Sequence, residues 1–225
     1  VNGIRERVAL GIGGRLARVR RVSHAIRSRM YPDHPGWPAV LGPVQVRQRR
    51  IALRPAQMDD AAAWVAAVRE DRASLERWWR TDPRPWHERI TTREWRAQCE
   101  GLLRAARRGY ALPFALVVDG RFAGQFTLDR IDRAHGAAEV GVWVARDYRD
   151  GVVVVTAMRL LLQHAFGALG LYRVVAPIDV DNRPAAAAAA RVGFRREGVM
   201  RGYLDVGGQR RDHVLWAILR EDFTS

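Results

Sequence analysis

Between residues 114 and 178 the hydrophobic period changes from two residues to about four and back again, an order of elements that few folds accommodate. Phe114–Val118 and Arg121–Leu128 are β-rich runs joined by Asp119-Gly120, a dipeptide suited to a tight hairpin turn. Ala137–Ala145, with Val142, Trp143 and Val144 side by side, adds a third strand to the meander. Ala157, Met158, Leu161, Leu162, Ala165, Phe166 and Leu169 then recur as pairs every four residues until Gly170, which predicts a core helix of about four turns. Leu171–Ile178 is apolar enough for a central strand. Strands and helices in this order predict an α/β (α+β) domain with helices packed on a mixed sheet.

The flanks extend the pattern. Arg50–Arg54 reads as a short strand ended by Pro55, and Asp59 and Asp60 precede a helical stretch over 61–68. Residues 72–80 and 92–108 read as further helices, the second opening after Thr91 and Thr92. Residues 184–192 contain six consecutive alanines, a helix that Pro184 opens and Gly193 closes. Gly198–Val206 and Arg210–Leu219 flank Gly207-Gly208 as a terminal hairpin, giving six to seven strands in all.

The formal charge of +14 is unevenly spread: residues 1–30 hold eight arginines against the single acid Glu6, half of the total. Leu16, Val19, Val22, Ile26 and Met30 fall on one stripe there, so a basic amphipathic helix is expected. Such a helix suits ribosomal RNA, another part of the ribosome or an anionic membrane surface, and equally suits packing on its own domain or on a partner subunit, a homodimer included. Residues 31–48 read as a Pro/Gly-rich linker arm with His34-Pro35-Gly36-Trp37-Pro38 in sequence, and residues 49–223 as the domain proper. No apolar core or small-residue cleavage site follows the N-terminal arginines, and no run of about 18 apolar residues predicts a membrane span. Cys99 has no second cysteine to pair with, and the six histidines lack metal-clamping spacing, so a reducing cytoplasmic setting without a metal site is expected.

Glu139-Val140-Gly141-Val142-Trp143-Val144, Tyr148-Arg149, Leu171-Tyr172-Arg173-Val174, Asn182, Val192-Gly193-Phe194 and Arg211-Asp212-His213 fall in order with suitable gaps. Together they resemble the GNAT acyltransferase superfamily, in its ribosomal-protein-alanine N-acetyltransferase (RimJ/RimL-like) branch. The resemblance covers roughly residues 49–222, and the HPGWP arm and LGPV stretch look like the actinobacterial form. It implies a mostly antiparallel sheet with a splayed central strand pair, helices on both faces, and acetyl-CoA as co-substrate. It implies that backbone groups of Val142, Trp143 and Val144 hold the pantetheine arm. The diphosphate would lie on the segment Arg149, Asp150, Gly151, Val152, Val153 and Val154, with Arg149 adding a charge-assisted bond to phosphate. Asn182 would bind cofactor or an ordered water.

Two departures from the family pattern carry physical consequences. Val152 stands where a glycine is usual and Val154 where a second glycine or an alanine is, and Asp150 replaces another common glycine, which predicts weaker diphosphate binding if the loop keeps its path. Ala185 and Ala189 occupy the positions from which a Ser or Tyr would protonate the departing thiolate. Glu139 is then the candidate general base, Tyr203 and His213 the candidate acids, and a backbone N–H near Val144 the group polarising the thioester. An N-acetyltransferase acting on a protein N-terminus or a small amine is the expected function. The other reading is an inactive GNAT-fold binding module that has lost CoA and works through residues 1–30. Changed acyl or acceptor choice is not separable at this level.

Overall fold

The computed structural model describes residues 37–224, so the helix expected within residues 1–30 and the first part of the arm lie outside the described residues. Eight strands form one sheet in the order β1-β2-β3-β4-β5-β6-β8-β7. They are β1 (Leu41–Val46), β2 (Arg49–Pro55), β3 (Leu112–Val118), β4 (Arg121–Asp132), β5 (Ala137–Val144), β6 (Arg173–Asp179), β7 (Arg195–Val206) and β8 (Gln209–Leu219). The helices are α1 (Ala61–Glu70), α2 (Arg72–Leu75), α3 (Trp86–Arg89), α4 (Thr92–Arg107), α5 (Gly151–Phe166) and α6 (Arg183–Val192).

Strand β1 corrects the expectation of six to seven strands and of a linker running to residue 48. It pairs antiparallel with β2 from Leu41↔Leu53 to Val46↔Arg49, with a register shift between Leu41 and Val44. Gly42-Pro43 masks it in the sequence. An edge strand tolerates a residue without an N–H, because one of its sides has no ladder to feed. The helix expected over 72–80 is also shorter, one turn of α2 and a 3-10 turn at Glu76–Trp78, after which Trp79 is extended at φ −86°, ψ 144°.

Every neighbouring pair is antiparallel except β5 and β6, whose parallel pairing runs from Ala137↔Arg173 to Glu139↔Val175. β6 goes on to pair with β8 as far as Asp179↔His213, whereas β5 keeps only β4 as its neighbour through Val144. The central pair is therefore splayed. Alternation places Ala138, Val140 and Val144 in the core beneath α5 and α6, with Ile51, Leu53, Phe114, Leu116 and Phe126. The other face of the sheet carries α1 to α4, where Trp64, Trp86, Trp95 and Cys99 make a second core against Phe122 and Trp143.

At the far end of β6, Asp179 is 6% exposed and takes both a 2.9 Å and a 3.0 Å hydrogen bond from Arg211. Burial alone would raise its pKa, but the Arg211 bonds, the Asp181 N–H and the neighbouring charges outweigh it and leave the carboxyl below its ordinary value. A depressed carboxyl stabilises the fold above the unfolded-state pKa of about 3.9, and that stability is lost as pH falls through the folded value. Thermal unfolding followed against pH is expected to show the midpoint falling below about pH 4, with Asp179→Asn flattening that acid limb.

Candidate active site

Two of the three side chains expected to move protons, Glu139 on β5 and Tyr203 on β7, come together on the α1–α4 face of the sheet. Glu139 shares the face of β5 with Gly141 and Trp143, because successive residues of a strand alternate sides. Its Oε2 accepts from the Tyr203 hydroxyl at 3.2 Å and from Arg130 Nη1 at 2.9 Å, and Arg130 Nη1 also lies 2.8 Å from the Tyr203 oxygen. The Glu139 side chain is 22% exposed, so the carboxylate is reachable but partly shielded. Arg130 holds this position from a backbone at φ 50°, where Asp129 Oδ1 accepts its N–H at 2.8 Å. Its contacts with Tyr203 and Glu139 hold the guanidinium more firmly protonated than usual.

His213 is placed beneath this cluster, not in it. It is 4% exposed and stands edge-on to the Tyr203 ring at 5.5 Å. Its Nδ1 lies 3.1 Å from the Arg211 carbonyl, which can only accept, so the tautomer with the proton on Nδ1 satisfies the contact. His213, expected as a candidate acid, thus touches the Tyr203 ring and, among the described residues, makes no hydrogen bond to Glu139 or to the Tyr203 hydroxyl.

Beyond Glu139 the backbone of β5 has an open side. The Ala145 N–H donates to Ala123 on β4 at 2.8 Å, so by alternation the N–H groups of Trp143 and Gly141 also point to β4, and those of Val142 and Val144 point into the splay. Val142 is 41% exposed there. A linear ligand with amide groups can take the place of the missing strand.

The turn after β5 enters α5 at Gly151. Asp150 is its N-cap, accepting from the Val153 N–H at 2.7 Å, and the Val154 N–H donates to the Asp150 carbonyl at 3.3 Å. That leaves the Gly151 and Val152 amides at the helix mouth without intrahelical acceptors. No residue from 151 to 154 takes a positive φ, so the valines meet none of the strain that the family's glycines would relieve. Val153 is buried and Val154 packs against the core, so these two side chains turn away from the mouth. Like charge from Asp150 is offset by Arg49, with Nη2 3.6 Å from Oδ2. Arg191 lies across Gly151, where a side chain's Cβ would come within 2.6 Å of its Nη1.

Arg149, expected to meet phosphate, is held by two protein groups. Its Nε donates to the Val144 carbonyl at 2.7 Å, and its Nη2 pairs with the buried carboxylate of Asp71 at the elbow between α1 and α2. The guanidinium faces inward because a buried acid has a stronger claim on it than solvent-exposed space does. Asn182 is the N-cap of α6, its Oδ1 accepting from the Ala185 N–H at 3.3 Å, which leaves its amide NH2 and the second lone pair of Oδ1 for a ligand or a water.

A strap ties residues 79–81 to the β7–β8 hairpin. The Thr81 N–H donates to the Asp205 carbonyl at 3.1 Å, the Gly207 N–H to the Trp79 carbonyl at 3.1 Å, and the Gly208 N–H to Thr81 Oγ1 at 2.8 Å. The Trp79 ring stands 6.2 Å from the Trp143 ring.

A profile of the acetyltransferase (GNAT) domain matches residues 50–195, well over half of the chain. The chain belongs to the GNAT acetyltransferase family. RimJ of Mycobacterium smegmatis, solved with a CoA-disulfide, is 39% identical with a TM-score of 0.82, over 85% of this chain and 92% of that one. YdaF of Bacillus subtilis, provisionally named a ribosomal N-acetyltransferase, is 32% identical over 121 residues, 52% of this chain and 66% of its own length. Spermidine N(1)-acetyltransferase of Escherichia coli is 26% identical over 110 residues, 49% of this chain and 59% of its own. The matches to these two curated relatives thus span less than two thirds of them.

Within this GNAT domain, sequence reasoning missed Arg130, Asp71 and the Thr81–Asp205 strap, since no local period links residues so far apart. Gln125 was missed too, although it is buried and its Oε1 accepts from both Trp64 Nε1 at 3.2 Å and Trp143 Nε1 at 2.7 Å. Cys99 stays outside the chemistry. It is fully buried in the second core, and burial, with Asp60 nearby, pushes its thiol up to about 11. A thiol-reactive dye is expected to leave the native protein unlabelled over minutes and to label it fully after unfolding; rapid native labelling would contradict this burial.

Proposed function

We propose that this GNAT domain transfers the acetyl group of acetyl-CoA to the primary amine of a protein N-terminus. The observation that carries the reading is the placement of the Glu139–Tyr203 pair beside the point where β5 loses its neighbour. The pantetheine arm pairs with the open edge of β5, and the diphosphate meets the Gly151 and Val152 amides at the positive end of α5, with Arg49 and Arg191 beside them. The structure of RimJ with a CoA-disulfide, at 39% identity to this chain, supports a CoA-borne donor.

Glu139 takes a proton from the incoming ammonium, directly or through a water, and the freed amine attacks the thioester carbonyl. The C–N bond forms, the carbonyl oxygen gains charge, and the C–S bond then breaks as the carbonyl re-forms. Val142, about 10 Å along the strand from Glu139, is better placed than Val144 at about 17 Å to donate its N–H to that oxygen. The Tyr203 hydroxyl supplies a proton to the departing thiolate, the role that Ala185 and Ala189 cannot fill, and recovers it from the protonated Glu139, while the nitrogen sheds its second proton to solvent as the amide forms.

The test is mass spectrometry of peptides with free and blocked N-termini, incubated with acetyl-CoA, with spermidine as comparator. Acetylation of the free α-amine alone is expected. Product from spermidine but from no peptide would overturn the acceptor class, and no product from any amine would overturn the transfer.

A further inference from the structure

We infer that Asp71 and Arg149 are positioning residues for the donor arm, and that Arg149 acts through strand β5 instead of touching phosphate. The inference rests on the reading that acetyl-CoA lies along the open edge of β5.

Past Glu139 that strand is held on one side only, by β4, so the segment that must receive the arm lacks ladder bonds on its other side although it lies in the middle of the sheet. Arg149 supplies a substitute. Its Nε binds the Val144 carbonyl, which alternation places on the splayed side, and its Nη2 reaches across to Asp71. Asp71 is 3% exposed and sits between α1 and α2, so the acid is itself fixed by the helical layer. A buried acid, an arginine and a strand carbonyl form one connected chain from the acceptor-side helices to the end of the donor strand.

The same helical layer ties that segment a second time. Trp64 of α1 and Trp143 of β5 both donate to Gln125, which fixes the Trp143 side chain on the face opposite the first core. With Val144 held by its carbonyl and Trp143 by its indole, the gap-facing N–H groups of Val142 and Val144 keep a set spacing. Donor geometry of this kind tolerates errors of only about half an ångström before rate suffers.

Arg149→Lys separates the two bonds. A lysine keeps a positive charge for Asp71, but its compact ammonium cannot also occupy the Val144 carbonyl with the geometry of a planar fork. We expect kcat/KM to fall about tenfold with acetyl-CoA and by the same factor with phosphate-free S-acetyl-pantetheine, carried by the donor KM. The acceptor KM and the thermal midpoint should stay near the wild-type values, and backbone hydrogen exchange over residues 140–146 should quicken in the absence of donor. Asp71→Asn should act in the same direction; if it does not fold, Arg149→Lys carries the test.

A loss with acetyl-CoA that S-acetyl-pantetheine does not share would show that Arg149 touches phosphate, and would overturn the inference. Unchanged exchange over residues 140–146 with an unchanged donor KM would overturn it too, leaving a pair that only stabilises the fold. A wild-type protein that uses neither donor would instead overturn the donor reading beneath it.

Discussion

Glu139→Gln is expected to lower kcat by a factor of about 100 to 10,000 while leaving the fold and the donor affinity in place, the range by which a positioned general base accelerates proton transfer. Gln keeps the shape of the side chain and still accepts hydrogen bonds from Arg130 and Tyr203, whose contacts with Glu139 are 2.9 Å and 3.2 Å. It loses the ability to take a proton. Steady-state kinetics with acetyl-CoA and a peptide acceptor checks this, alongside donor binding by calorimetry. Tyr203→Phe should show a smaller loss of about tenfold, because solvent can protonate a thiolate more easily than it can deprotonate a bound ammonium. A Glu139→Gln enzyme within about threefold of wild type would remove Glu139 from the chemistry.

Gly124→Ala is expected to destabilise the domain by about 3 kcal/mol or more and to damage donor binding in whatever protein remains folded. Gly124 lies opposite Val144 in the β4–β5 ladder at φ 147°, a conformation that side-chain-bearing residues avoid. A Cβ there would come within 2.4 Å of the Trp143 carbonyl oxygen and 2.9 Å of the Val144 Cα, both backbone atoms that cannot swing aside. β5 would have to move away from β4 at the segment that already lacks a neighbour on its other side. At about 2 to 4 °C per kcal/mol for a domain of this size, the thermal midpoint should drop by about 6 to 12 °C. A midpoint within about 2 °C of wild type would mean that the two strands are less closely coupled than their separation implies.

The fold was legible wherever a local signal coincided with the tertiary need. Asp119-Gly120 marks the β3–β4 turn, with both residues at positive φ, and Asn182, Pro184 and Gly193 frame α6 as their backbone preferences require. Thr91 caps α4 through the Glu94 N–H at 3.2 Å. The misreadings share one cause, in that long-range partners overrode local preference. β1 is strand because Ile51 and Leu53 lie beside it, despite Gly42-Pro43. Trp79 leaves the helical path because its carbonyl and Thr81 are claimed by the terminal hairpin.

The candidate site was partly legible for the same reason. Glu139, Tyr203 and the β5 backbone could be named from the family pattern, but nothing in the order of residues brings Arg130 to Glu139 or Asp71 to Arg149. Val152 and Val154 depart from the family pattern in a way that predicts weaker diphosphate binding, and the segment is the first turn of a capped helix with no positive φ from residue 151 to 154.

Calorimetric titration of the protein with CoA tests the central claim most directly, that the open edge of β5 and the mouth of α5 together form a donor site. Saturable binding with a dissociation constant between about 1 μM and about 1 mM, reduced by Gly124→Ala, is the predicted result. Absence of heat or competition at millimolar CoA, from a protein shown to be folded, would contradict it.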